Sequence, residues 1–308
     1  MPTSAGSPQA EGETHQLYLL NLMEAEMLLT DMRNVELPSG DRIPVLGQGT
    51  WHLGQGRRPA EEEIEALRVG VSLGMNLIDT AEMYGNGRSE ELVGEAIASR
   101  RDDVFLVSKV LPWNATRRGT RRACADSLHR LQTDHLDLYL LHWRGTVPLA
   151  ETVTAFEELK QSGTIRNWGV SNLDLADLNE LVDLPGGWSV ATDQLLYNLL
   201  HRGIEYDVLP WCRQHDIPVM AYSPIEQGRM LGHPALREVA NRHRATPAQV
   251  ALAWIISQDL LVAIPEAGGP AHVQENRDAL ELHLLPGDIA ELNRAFPPPH
   301  WASPLEAG

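Results

Sequence analysis

Asn76-Leu-Ile-Asp-Thr-Ala-Glu-Met-Tyr-Gly-Asn86 reads as a short apolar strand that ends in a carboxylate, Asp79, and turns at once into a loop bearing Tyr84. The pattern returns in Phe105-Leu-Val-Ser-Lys109 and in Leu136-Asp-Leu-Tyr-Leu-Leu-His-Trp143, where apolar runs end in an amine, Lys109, and an imidazole, His142. A buried strand that delivers one polar group to its C-terminal tip suits a closed parallel barrel, whose chemistry is gathered at that mouth. Taken singly, each group has an ordinary reading: Asp79 a helix cap, Tyr84 a turn aromatic, Lys109 a solvated strand end, His142 a satisfied core histidine. As a set they point to one site with a proton-donating tyrosine.

Outward from these stretches the chain alternates between the two structural periods. Val35 to Val45, broken by Pro-Ser-Gly-Asp, predicts a hairpin that floors the barrel. Short apolar strands follow near 46–51, 76–80, 104–109, 137–142, 166–170, 191–194, 218–222 and 261–265. Amphipathic segments lie between them, among them Glu61 to Leu73, Ser89 to Ser99, Arg117 to Leu131, Glu151 to Lys160, Glu205 to Gln214 and Pro247 to Gln258. Strand and helix alternating in this way predict an α/β fold, a (β/α)8 TIM barrel over residues 33–308 with the hairpin closing its bottom. A doubly wound dinucleotide domain is disfavoured, because no Gly-x-Gly-x-x-Gly follows an early strand and Gly54-Gln-Gly56 lacks the third glycine.

A net charge of -17 argues against nucleic acid or an anionic membrane surface as the main partner, since the long-range field repels both. No stretch has the length and apolarity of a membrane-spanning helix, and the start lacks the basic segment and cleavage site of a secretory signal. Cys124 and Cys212 fit neither a disulfide framework nor a metal-ligand spacing, and read as apolar thiols of a reducing, cytoplasmic compartment. Residues 1–32 form an extension: a polar run rich in Ser, Gly, Pro and Glu, then Leu17 to Leu29, apolar enough for one helix. It reads as dispensable, with Met32 as the expected beginning.

With these motifs in hand, the chain resembles the aldo-keto reductases, and within them the bacterial branch acting on methylglyoxal and similar small aldehydes. The resemblance rests on 76–86, the Ser108-Lys109 pair, 136–143, Gly169-Val-Ser-Asn172 and Ala221-Tyr-Ser-Pro224, which follow the family's order and extend it from about Val35 to Phe296. It implies a reductase using NADH or NADPH, with Asp79, Tyr84, Lys109 and His142 at the catalytic tetrad positions. Carbonyl reduction needs a hydride at carbon and a proton at oxygen. A free tyrosine, with a pKa of about 10, is a poor acid near neutrality. Lys109 is therefore expected to lower the Tyr84 pKa, Asp79 to hold the ammonium, and His142 to orient the carbonyl and act as a second donor.

Ser171, Asn172 and Gln194 fall at strand ends with side chains able to read a carboxamide, and the resemblance favours that role over a helix cap or a buried interior bond. Tyr222 matches a tyrosine that stacks on the nicotinamide ring. Ser223, Pro224, Ile225, Gln227, Gly228 and Arg229 form the loop expected over the pyrophosphate, Arg229 equally reading as a solvated charge. Thr50, Trp51, Ile264, Pro265, Glu275 and Asn276 complete the implied coenzyme groove. Trp51, Tyr84, His142 and Trp143 wall the implied substrate pocket, with Trp113 as a third tryptophan, whereas Trp168, Trp211 and Trp254 read as core. Short segments after the fourth and seventh strands, and a short tail, leave that pocket open.

One stretch departs from the family. Where users of NADPH carry a lysine, a serine and an arginine for the 2'-phosphate, Ile264-Pro-Glu-Ala-Gly-Gly-Pro-Ala-His-Val-Gln-Glu-Asn276 places Glu266, Ala267 and His272. A carboxylate there favours ribose hydroxyls, so NADH is expected to serve at least as well as NADPH. The alternative is that Glu266 faces solvent while Arg277 or another base binds the phosphate.

Two other classes remain. A metal-dependent barrel hydrolase needs a cluster of ligands that this chain lacks, with His52, His129 and His135 reading as helix or loop surface and no metal expected. A nicotinamide-binding regulatory or redox-sensing subunit is opposed by an intact tetrad. The expected partners are a small carbonyl substrate and, at most, a weak homo-oligomer.

Overall fold

The computed structural model describes residues 32–306, which open with an antiparallel hairpin of β1 (Asn34–Glu36) and β2 (Arg42–Pro44), Val35 opposite Ile43. The extension's helical segment lies outside the described residues. Asn167, near the start of its strand, donates to Asp41 at 2.6 Å and so ties the hairpin turn to the N-terminal end of the sheet. Val35, Leu37 and Ile43 are buried against the interior and floor it.

Eight parallel strands follow: β3 (Gln48–Gly49), β4 (Leu77–Asp79), β5 (Phe105–Val110), β6 (Leu136–Leu141), β7 (Ile165–Ser171), β8 (Val190–Leu196), β9 (Val219–Tyr222) and β10 (Leu261–Ala263). Each pairs with its sequence neighbour, and the bridges Leu46 to Ala263 and Gly49 to Glu266 join the last strand to the first. The ring is therefore closed, as the alternating pattern predicts. Burial of β6 at every residue reflects helices outside and packed side chains within.

The two-residue period of a strand decides which groups reach the interior. In β5, Lys109 points inward, while Ser108 turns outward to donate to Glu90 at 2.6 Å. In β8, Gln194 reaches Asp79 across the interior. Gly169 of β7 has no room for a side chain: a Cβ there would stand 2.6 Å from the Thr192 carbonyl oxygen.

The six segments singled out by amphipathicity are helices with similar bounds: Ala60–Ser72, Arg88–Ile97, Arg117–Leu131, Leu149–Gln161, Val208–Gln214 and Pro247–Ile256. Leu175–Val182, Pro234–His243, Pro270–Asp278 and Pro286–Ala295 are helical as well. Outside the barrel, Phe156 lies between Tyr139 and Trp168, with ring centroids 5.6 and 5.4 Å away. That stack clamps helix Leu149–Gln161 onto the sheet and accounts for Trp168 as core. Trp254 is buried too, while Trp211 is only partly covered beside Trp188.

Candidate active site

The three strand-end groups and Tyr84, from the loop after β4, converge at the C-terminal mouth. Lys109 Nζ donates to Asp79 Oδ2 at 2.7 Å, to the Thr80 carbonyl at 2.8 Å and to the Tyr84 hydroxyl oxygen at 3.2 Å. Three acceptors around one nitrogen need three N–H bonds, which only the ammonium supplies. Because Lys109 fills a lone pair of the phenol oxygen, the O–H of Tyr84 is left for the cleft. Tyr84 reaches this position through a tight turn: Gly85, Asn86 and Gly87 all carry positive φ, of 56°, 56° and 88°. His142 follows β6 directly, its main-chain N–H bonded to the Val110 carbonyl at 3.0 Å and its ring edge-on to Tyr84 with centroids 5.7 Å apart.

The electrostatics differ from the sequence expectation at Tyr84. Desolvation, then the negative charges of Asp79 and Glu266, push its pKa well above the usual 10.0. The phenol is thus held neutral, with the Lys109 ammonium against its oxygen. Burial also lowers the Lys109 pKa against the pull of Asp79, the interaction that keeps a fully buried ammonium in place. His142 is lowered to about 2 by burial and then by Lys109, so its imidazole is neutral. A neutral imidazole can orient a carbonyl but is a weak acid, and the Tyr84 hydroxyl is the other proton-bearing group beside it.

A cleft of about 970 Å³ opens above the tetrad. Thr50, Trp51, Ser171, Asn172, Gln194 and Tyr222 line it, joined by Ser223, Pro224, Ile225, Gln227 and Gly228 of the loop after β9. Ile264, Glu266, Ala267, His272, Glu275 and Asn276 line its far wall. Asn172 adopts a φ of 57°, donates to the His142 carbonyl at 3.1 Å and accepts from the Tyr222 hydroxyl at 2.9 Å. The loop after β9 is pinned by Glu226, which is buried and accepts from Asn198 at 3.0 Å. Trp143 lines the cleft, while Trp113 stands outside, 64% exposed and edge-on to Trp143 with centroids 5.7 Å apart. Pro265 and Arg229 are not among the cleft residues; the Arg229 side chain is 65% exposed and ion-paired with Glu226.

His52 corrects the reading of a loop-surface histidine. It lines the cleft, and Glu266 accepts from its main-chain N–H at 2.8 Å and lies 3.1 Å from its ring Nδ1. Glu266 therefore does not face solvent alone. His129 is exposed on its helix and His135 sits beside Asp134 in a loop, as expected. Arg277 is 1% exposed, whereas Arg57 lines the cleft and has no ion pair among the described residues. Arg57, Arg144 and Leu305 are cleft residues that no motif announces. Among the described residues no group of three or more potential ligands has the arrangement to hold a metal ion, and no helix is long and apolar enough to cross a membrane.

A closed barrel with a lysine-backed tyrosine, a neutral histidine and amide-bearing strand tips under one cleft defines an oxidoreductase that works on carbonyl groups. The comparisons agree. The aldo/keto reductase family model matches residues 45–296, and the chain belongs to that family. Methylglyoxal reductase YeaE of Escherichia coli is 52% identical over 87% of this chain and 96% of its own length. Methylglyoxal reductase DkgA of the same organism is 31% identical over 84% of this chain and 91% of its own. An aldo-keto reductase from Klebsiella pneumoniae, solved in complex with NADPH, superimposes with a TM-score of 0.88 at 47% identity, covering 90% of this chain and 99% of that one. A second Klebsiella pneumoniae structure, in complex with NADP and acetate, gives 0.87 at 47% identity over 89% and 99%. This chain is a nicotinamide-dependent oxidoreductase of that family.

Proposed function

We propose that this enzyme reduces small aldehydes and ketones of the methylglyoxal type to alcohols, with Tyr84 as the proton donor. The observation that carries the proposal is the bond from Lys109 to the Tyr84 oxygen beside a neutral His142. When bound, the coenzyme supplies the hydride to the carbonyl carbon. His142 orients the carbonyl oxygen, Tyr84 gives its O–H proton to that oxygen, and Lys109 stabilises the phenolate left behind until solvent returns a proton. In the oxidative direction Tyr84 is the base. The substrate class follows from the open cleft and the two E. coli relatives named as methylglyoxal reductases. The bonded tetrad weighs against a purely regulatory subunit.

The cleft suits a nicotinamide. Gln194 presents an Oε1 that accepts no hydrogen bond among the described residues, and the Tyr222 ring is half-buried at the cleft wall. The relatives' structures hold NADP and NADPH and lend no support to NADH leading. We assign Arg57 as the cation that meets a 2'-phosphate, with NADH also accepted because Glu266, Ala267 and His272 replace the family's usual grip. Residues 33–308 act as a single barrel, the extension contributing nothing to turnover, and a cytoplasmic setting fits the two buried free thiols. The test is coenzyme oxidation followed by absorbance with methylglyoxal and an aldehyde panel, using both coenzymes. Absence of turnover with every aldehyde would remove the reading.

A further inference from the structure

Asp79 has two carboxylate oxygens and two different partners. Oδ2 receives the ammonium of Lys109 at 2.7 Å, while Oδ1 receives the side-chain amide of Gln194 at 2.7 Å. All three side chains are buried, and Gln194 arrives from β8, opposite the strands that carry Asp79 and Lys109. We infer that Gln194 is a positioning residue for proton transfer: it fixes Asp79 so that Oδ2 faces Lys109, and Lys109 in turn faces Tyr84.

Without that amide, Oδ1 of Asp79 would be a buried acceptor with no partner among the described residues. A buried carboxylate with one free oxygen rotates to share its partner or draws in water, and either motion moves Lys109 away from a phenol oxygen only 3.2 Å away. With Nε2 committed to Asp79, the amide's Oε1 is the only acceptor Gln194 can offer a ligand. One side chain therefore joins the carboxamide-reading wall to the acid's support, and a nicotinamide bound there steadies Asp79 and Lys109 through it. This rests on Tyr84 being the proton donor.

The experiment compares Gln194→Leu and Gln194→Glu, reading kcat/KM for methylglyoxal at saturating coenzyme, coenzyme Kd by fluorescence, and a pH profile. Gln194→Leu is expected to lower kcat/KM about tenfold or more with no pH region of recovery, the scale of one lost bond to a charged group. Gln194→Glu restores the bond only when its own carboxyl is protonated and can donate to Asp79, so its activity should climb toward wild type as pH falls. Adding Gln194→Leu to Asp79→Asn should cost little more than Asp79→Asn alone. Variants that weaken coenzyme binding but keep kcat/KM at saturation, with a flat ratio to wild type across pH, would overturn the inference and leave Gln194 as a coenzyme contact. If Gln194→Leu fails to fold, the Gln194→Glu profile decides. Should Tyr84→Phe retain turnover, the underlying assignment fails instead, which separates the two outcomes.

Discussion

Lys109 Nζ stands 3.2 Å from the Tyr84 hydroxyl oxygen and donates to it, so the cation is in place before any charge forms on the phenol. An interaction that strengthens as the phenolate develops lowers the barrier rather than merely binding substrate. Lys109→Met is expected to cut kcat/KM by roughly 10²-fold or more, with a primary isotope effect from deuterated coenzyme that persists or grows. A variant within about twofold of wild type would show that Lys109 only fills space.

The neutral state of His142 has its own signature. Were an imidazolium the acid, reduction would fade as pH rose through the ordinary histidine value of 6.5; with that pKa depressed to about 2, no such limb exists near neutrality. The kcat/KM profile is therefore expected to show no loss centred near 6.5. Such a limb, abolished in His142→Gln, would transfer the proton to the histidine.

Stability carries a second titration, away from the cleft. Asp193 is fully buried on β8, and among the described residues neither carboxylate oxygen has a hydrogen bond of good geometry. Desolvation raises its pKa well above 3.8, outweighing the opposing pull of the Leu173 main chain, and Asp177 and Asp174 add to the rise. A raised folded pKa means the native state holds a proton that the unfolded chain has lost, so this group's stability is full below 3.8 and is lost as pH rises. Asp193→Asn removes that dependence. Its unfolding free energy should exceed wild type near neutrality by about 1 kcal/mol or more, read as a higher Tm, and the gain should vanish in acid. Equal Tm at both pH values would place a partner on Asp193.

Coenzyme choice turns on charges at one wall. Arg57→Ala is expected to lower kcat/KM with NADPH about tenfold while NADH changes little, because a charge-assisted phosphate contact is lost. Glu266→Lys with His272→Arg should strengthen NADPH use, more so at low ionic strength. Both are read as kcat/KM for each coenzyme at two salt concentrations. An Arg57→Ala variant with unchanged NADPH kinetics would assign the phosphate to another base.

Deleting residues 1–31, so that the chain begins at Met32, which is buried in the core, should leave kcat/KM and Tm nearly unaltered. A large drop in either would give the extension a packing role.

The barrel and the tetrad were legible because each is written locally. An apolar run of strand length ending in one polar residue marks both a buried strand and the group at its tip, as at Asp79, Lys109 and His142. What was not legible spans the closure of the ring. The His52–Glu266 contact joins residues 214 apart, at a seam made by the Gly49 to Glu266 bridge, and no local pattern links them. The raised Tyr84 pKa escaped in part for the same reason, since it sums burial and the nearby Asp79 charge with the charge of the sequence-distant Glu266. Gln194 was legible as an amide facing the cleft, but its bond to Asp79 crosses the interior between residues 115 apart.

The central claim is that Tyr84 donates the proton, and Tyr84→Phe tests it most directly. Its kcat for methylglyoxal, measured by coenzyme absorbance at saturation beside a coenzyme Kd, is expected to fall by about 10² to 10⁴ with Kd within about twofold of wild type. Near-normal kcat in that variant would contradict the assignment and move the acid to another group in the cleft.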